Sequence, residues 1–180
     1  MTAHLGTPGE LWTGLYRFES WEFELLWGEE GLCYLGTLAG TWEMTRYLQR
    51  YWPGAALRRA STLPDPLARQ LSEYFAGTRY HWDFPILPRG TPFQKAVWEA
   101  VLKIPYGEVR TYAEIAHALG RERGFRAIGA AVGSNPISLL IPCHRVVASG
   151  GGLGGYGGGV DLKARLLAHE AAHRPAGGKE

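Results

Sequence analysis

Apolar and polar positions follow different rhythms in the two halves of the chain. From Gly14 to Leu38, "GLYRFESWEFELLWGEEGLCYLGTL" reads as β-type runs, broken at Trp27–Gly31 where Gly28 and "GEEG" signal a turn. A small antiparallel sheet is expected. The period turns helical in "WEMTRYLQRYW", Trp42 to Trp52, which stops before Pro53. It is helical again in "PDPLARQLSEYFAG", Pro64 to Gly77, where Asp65 before Pro66 gives an expected N-cap and first-turn pair. "DFPILPRG", Asp83 to Gly90, reads as a linker.

Helix punctuation dominates the chain after Gly90. Thr91-Pro92-Phe93-Gln94 is a capping box with proline at the first helical position. It predicts a helix through about Lys103, with Phe93, Val97, Trp98 and Val101 on one face. "IPYGE" breaks that helix. Thr111-Tyr112-Ala113-Glu114 is a second capping box, opening a helix that ends near Gly120. "FRAIGAAVGSN", Phe125 to Asn135, gives a third, stopping before Pro136. The last two form an expected helix-turn-helix. Core candidates in this half are Phe93, Val97, Trp98, Ile104, Ile115, Ile128, Leu140 and Ile141. The expected domains are 1–90, α/β with the linker included, and 91–180.

The helix after Phe125 is short of bulk. Ala127, Gly129, Ala130, Ala131 and Gly133 leave a smooth cylinder, although each glycine costs about 1 kcal/mol against alanine. One explanation is close packing against another helix. The other is close approach to a nucleic-acid groove, with Arg126 filling the place of an extruded base.

Composition narrows the class. The chain has 180 residues, 46% hydrophobic and 20% charged, which fits a globular protein. Met1 to Leu11 lacks the pattern of a signal peptide, and no apolar run approaches a membrane span. A soluble, cytoplasmic protein with reduced thiols is expected. Residues 1–90 carry 8 Lys+Arg against 10 Asp+Glu, net −2; residues 91–180 carry 11 against 7, net +4. The second half is therefore the one suited to a polyanion.

The chemistry concentrates in "SLLIPCHRVVASGGGLGGYGGG", Ser138 to Gly159. An apolar stretch, read as a strand ending at Pro142, leads into Cys143, His144 and Arg145, and then a glycine-rich loop. Cys33, the other cysteine, lies in a strand pattern and is expected in the core. "IPCHRVV", preceded by "GSNP" and followed by "GGYGGG" and "LLAHE", resembles the O6-alkylguanine-DNA alkyltransferases, and the likeness covers most of Thr91 to Ala171. The first half fits that family's variable N-terminal domain only loosely.

The resemblance implies a ribonuclease-H-like α+β N-terminal domain and a mostly helical C-terminal domain whose helix-turn-helix enters the minor groove. It implies a monomer that flips O6-alkylguanine, and O4-alkylthymine, out of duplex DNA. The alkyl group then passes irreversibly to Cys143, with no cofactor and no metal. In the implied roles His144 takes the thiol proton through a water and Glu170 stabilises the imidazolium. Tyr112 donates its hydroxyl to the base. Tyr156 walls the pocket, the Gly157 N–H lies near O6, and backbone of Cys143 and Val146 reads the base edge. Thr111, Tyr112, Arg126, Ala127 and Ala130 meet the DNA. Many relatives carry serine where this chain has Gly157, which bears on alkyl preference. Asn135 is expected to tie its helix to the Cys143 segment or to act as a C-cap, and Arg145 to face a phosphate or, preferably, an internal carboxylate.

Other readings are weaker. Gly150 to Gly155 matches G-x-G-x-x-G, but no helix opens on it and no βαβ unit surrounds it. A cysteine hydrolase would need a turn to bring Cys143 and His144 together, since neighbours on a strand point apart. His169 and His173 have i,i+4 spacing for a metal, but Glu170 between them already has an implied role, and His4 and His81 are scattered. The main rival is a non-catalytic sensor of alkylated DNA; such relatives lack the cysteine present here.

Overall fold

The computed structural model describes residues 9–38, 41–122 and 124–175. Strands β1 (Leu11–Phe18), β2 (Trp21–Gly28) and β3 (Gly31–Thr37) form an antiparallel meander, and β4 (Leu57–Arg59) pairs with β1 in parallel, in the order β3-β2-β1-β4. The sequence marks one break in this run, whereas the structure has a second, at Glu19–Ser20. Glu19 takes φ 51° there. No glycine, asparagine or proline announces that turn, so the pattern conceals it.

Helix α1 (Thr41–Tyr51) packs over one face of the sheet, where Cys33 is buried beside Leu26, Met44 and Tyr47. Helix α2 (Asp65–Phe75) starts a residue earlier than expected, because Pro64 is its N-cap and makes no side-chain capping bond. Asp65 lies inside the first turn, where its charge suits the helix dipole.

The Asp83–Gly90 stretch is not a free linker. Leu32 N–H donates to the Pro85 carbonyl at 2.9 Å, and Leu87 N–H to the Leu32 carbonyl at 2.7 Å. Further along the same edge, Leu35 N–H donates to Pro136 O at 2.9 Å and accepts, through its carbonyl, from Ser138 N–H at 2.8 Å. Both neighbours satisfy β3 backbone groups that would otherwise be an open edge. The two halves accordingly share a core, which joins Phe23, Leu71 and Tyr74 to Val97, Trp98 and Ile128.

The second half contains α3 (Pro92–Leu102), β5 (Arg110–Thr111), α4 (Tyr112–Ala118), α5 (Phe125–Gly133), a one-turn 3-10 helix (Cys143–Arg145), β6 (Val146–Val147) and α6 (Val160–Ala172). Both expected capping boxes form, Thr91 with Gln94 and Thr111 with Glu114. Trp98 fixes α3 to α5 by donating its indole N–H to Ala131 O at 2.8 Å. The apolar stretch before Pro142 is a buried turn rather than a strand: Leu139 has φ 69°, and Ile141 N–H bonds back to Ile137 O at 3.0 Å. Among the described residues no helix is long and apolar enough to cross a membrane.

Candidate active site

Asn135 organises the turn that presents the thiol. Its carbonyl oxygen accepts from Ile137 N–H at 2.9 Å, while its amide donates to Ile141 O at 2.8 Å and to Cys143 Sγ at 3.0 Å. The C-cap of α5 is Ser134, so Asn135 acts as a tie between α5 and the Cys143 segment. Pro142 then leads into the 3-10 helix, which supplies the bend that an extended strand lacks between Cys143 and His144. Burial pushes the Cys143 thiol up, opposed by the Asn135 hydrogen bond and the positive charge of Lys163.

Behind the thiol is a fully buried polar cluster. His144 Nε2 lies 2.8 Å from Glu170 Oε1, and both side chains have no exposed surface. Glu170 also accepts from Tyr74 OH at 2.7 Å, Gly107 N–H at 3.0 Å, and Arg145 Nε and Nη2 at 2.9 Å each. Arg145 donates in addition to Ile104 O at 2.7 Å. It therefore faces the internal carboxylate. Burial alone would raise the Glu170 carboxyl, but hydrogen bonds from His144 and Arg145 and the Arg145 charge hold it well below the usual carboxylate range. Burial, with the nearby Arg145 and Lys163 charges, holds His144 below its ordinary value despite Glu170. A neutral His144 then carries its proton on Nε2 and donates that N–H in a hydrogen bond to the carboxylate, leaving a basic lone pair on Nδ1. That Nδ1 is buried and has no hydrogen-bond partner among the described residues.

Lys163 anchors the glycine loop. Its buried ammonium donates to Val146 O at 2.6 Å, Leu153 O at 2.5 Å and Gly155 O at 3.4 Å, and lies 5.9 Å from the centre of the Tyr112 ring. Tyr112 OH reaches Gly155 O at 3.4 Å. Cys143, Asn135, Tyr156 and Gly157 border a cleft of about 40 Å³, closed on its far side by Tyr34–Thr37 and Glu43 from the first half. That is room for about one water molecule and not for a purine. Val146, expected at the base edge, does not line this cleft: it pairs with Arg110, and its carbonyl is taken by Lys163.

Outside the cleft, α5 turns Arg126, Ala127 and Ala130 to solvent, and Gly133, also exposed, lies at the cleft's border. A Cβ added at Gly129 or Gly133 would meet nothing within 4 Å. Helix packing therefore does not require those two glycines, whereas Ala131 of the same helix is buried in the core and takes the Trp98 indole N–H on its carbonyl. Thr111 has its hydroxyl engaged by Glu114, accepting from Glu114 N–H at 3.1 Å and donating to Glu114 Oε2 at 2.9 Å. His169 and His173 bond to the Tyr74 and His169 carbonyls at 2.9 and 2.8 Å.

Three contributors are missed by sequence reasoning. Lys163 shares a helical stripe with Leu166 and Glu170, and a buried charge at i, with i+3 and i+7, is a signal that could find it. Tyr74 and the Tyr34–Thr37 wall carry no local signal, because only the domain packing brings them to the site.

Comparison with known proteins agrees in both halves. Residues 11–88 match the family described as 6-O-methylguanine DNA methyltransferase, ribonuclease-like domain, and residues 92–172 match its DNA binding domain. The inducible methylated-DNA–protein-cysteine methyltransferase of Bacillus subtilis strain 168 is 35% identical over 158 residues, 87% of this chain and 88% of that protein. The methylated-DNA–protein-cysteine methyltransferase of Methanosarcina barkeri is 53% identical over 100 residues, 56% of this chain and 63% of that protein. The crystal structure of Mycobacterium tuberculosis OGT in complex with DNA superposes with a TM-score of 0.77 at 35% identity, covering 92% of this chain and 96% of that one.

Proposed function

We propose a mechanism from the premise that this chain belongs to the methylated-DNA–protein-cysteine methyltransferase family. The protein is a DNA repair methyltransferase that moves an alkyl group from DNA to a cysteine of its own. In the proposed reaction that cysteine is Cys143 and the substrate is O6-alkylguanine, turned out of the duplex from the minor groove.

His144 Nδ1 takes the Cys143 proton through a water, and Glu170 stabilises the imidazolium. The thiolate attacks the alkyl carbon. A C–S bond forms, the C–O6 bond breaks, and its electron pair stays on the purine. Tyr112 eases that charge by donating its hydroxyl to the base. The thioether product offers water no leaving group, so each molecule acts once. Opening of the glycine loop from Gly150 to Gly159 admits the base to the narrow cleft. Arg126 fills the gap left in the stack. The reaction needs one chain and a reduced thiol, which suits a monomer in the cytoplasm.

The observation that carries this reading is the unpartnered Nδ1 of His144, whose Nε2 is fixed on Glu170, one residue from the Cys143 thiol. Intact-protein mass after incubation with duplex DNA holding one O6-methylguanine tests it. The expected result is one methyl per protein, mapped to Cys143, without turnover and absent in Cys143→Ala. Methyl removal by the alanine variant would overturn the assignment.

A further inference from the structure

A basic groove lies at the C-terminal end of α5, which reaches it through its C-cap Ser134. It is bordered by Arg46 and Arg50 of α1, by Arg89, and by Gln94 and Ser134, and among the described residues no Asp or Glu lines it. Arg46 and Arg50 are exposed and stand i,i+4 on one helix face. Arg50 and Arg89 pair with aromatic rings rather than carboxylates: Arg89 lies 4.6 Å from the centre of the Trp52 ring and Arg50 5.4 Å from that of Tyr51. The Nε of Arg89 is buried and has no hydrogen-bond partner among the described residues. These cations belong to a half of the chain whose net charge is −2, so their grouping is local and not a reflection of overall composition.

The groove joins the DNA-facing surface. Gln94 of α3 donates to Ser134 Oγ at 2.8 Å, and Ser134 caps α5. The exposed stripe of α5 runs through Arg126, Ala130 and Gly133 to Ser134 and ends at the groove. From Arg126 to Ser134 the helix advances about 12 Å, which is about three to four nucleotide steps along one DNA strand.

We propose that this groove is a second DNA contact, in which Arg46, Arg50 and Arg89 hold backbone phosphates of the duplex beside the lesion, about four nucleotides from the flipped base. The inference rests on the DNA-repair reading of the active site. It gives the N-terminal half a part in binding as well as in support of the site. Phosphates suit the residues present: guanidinium forks match phosphate oxygens, and groups that touch only backbone hold register without reading sequence.

The test compares wild type, Arg50→Gln and Arg50→Glu on O6-methylguanine duplexes of about 20 and about 8 base pairs, lengths chosen to include or remove the flanking phosphates. Binding is measured by anisotropy across a salt series, with single-turnover methyl transfer at saturating protein. On the longer duplex, Arg50→Glu is expected to weaken binding about tenfold, and Arg50→Gln to lower the salt slope by about 0.9 for one lost phosphate contact. On the short duplex both should match wild type, and transfer rates should be unchanged throughout. Equal binding and equal slope on the longer duplex would overturn the groove contact. Equal loss on both lengths would also overturn it, as a long-range field effect. Loss of a second bound protein with the first unaffected would assign the groove to another copy of this chain instead. Failure of wild type to bind either duplex would instead sink the DNA reading on which the proposal rests.

Discussion

Tyr74 of α2 and Glu170 of α6, 96 residues apart, share a buried hydrogen bond of 2.7 Å. The oxygen that accepts from the tyrosine is also the one that faces His144 Nε2. The N-terminal half therefore helps set the charge and position of the carboxylate that supports the proposed base.

Removing that bond is a sharper probe than removing the carboxylate. Glu170→Gln would leave Arg145 as a buried, uncompensated charge, a change that costs about 3–5 kcal/mol and threatens the fold itself. Tyr74→Phe keeps the ring packing and deletes one donor, a loss of about 1–3 kcal/mol. We expect a folded protein with slower single-turnover transfer and nearly unchanged DNA affinity. Transfer at the wild-type rate would remove Tyr74 from the relay's support.

Acid should weaken the fold in two stages. His144 and Glu170 are both held below their ordinary values in the folded state, so the unfolded chain binds more protons as pH falls. The His144 contribution is complete above its unfolded value of about 6.5 and is lost below it. The Glu170 contribution is complete above about 4.3 and is lost as pH falls toward the folded value. Urea unfolding from neutral pH downward should show a stability decline that begins near pH 6.5, and His144→Asn should lack this first stage. A wild-type profile that is flat down to pH 5 would contradict the neutral, buried imidazole.

Lys163 links the loop to the thiol. Its charge favours the Cys143 thiolate, while its contacts with the Leu153 and Gly155 carbonyls tie the glycine loop to Val146 O of β6. Lys163→Met should shift the pH profile of Cys143 alkylation by iodoacetamide to higher pH and increase amide exchange in the Gly150–Gly159 loop. If the alkylation profile stays put, Lys163 is a loop anchor only.

The glycines of α5 should trade stability against binding. Gly129→Ala and Gly133→Ala meet no neighbouring atom and relieve a helix penalty, so each should stabilise the fold by about 0.5–1 kcal/mol. Each added methyl would project from the smooth face and weaken duplex binding; reaction with free O6-methylguanine should stay the same for Gly129→Ala, whereas Gly133 borders the cleft and its methyl reaches the site as well. Arg126→Ala should also spare the free base and slow repair in duplex, through loss of its stacking role rather than through bulk. Unimpaired duplex binding in both alanine variants would return the glycines to a purely structural explanation.

Local rules determined much of this protein in advance. Two capping boxes fixed the starts of α3 and α4, because each is written within four residues and satisfies its own N–H groups. The succession of helices α1 to α5 and the Cys143–His144 pair were legible from local pattern too, whereas the short strands β4, β5 and β6 were not. Tertiary structure decided what depends on distant partners. The apolar Ser138–Ile141 stretch could be a strand by pattern, but Asn135 and local turn bonds satisfy its backbone and bend it. The expected linker became an edge partner of β3 because open strand edges leave polar groups unpaired. Glu170 is singled out by the family resemblance alone, and its donors come from Tyr74, Gly107, His144 and Arg145, four points that only the packed core brings within 3.0 Å. A buried carboxylate is stable only when surrounded by donors, and no local pattern encodes which distant residues will provide them.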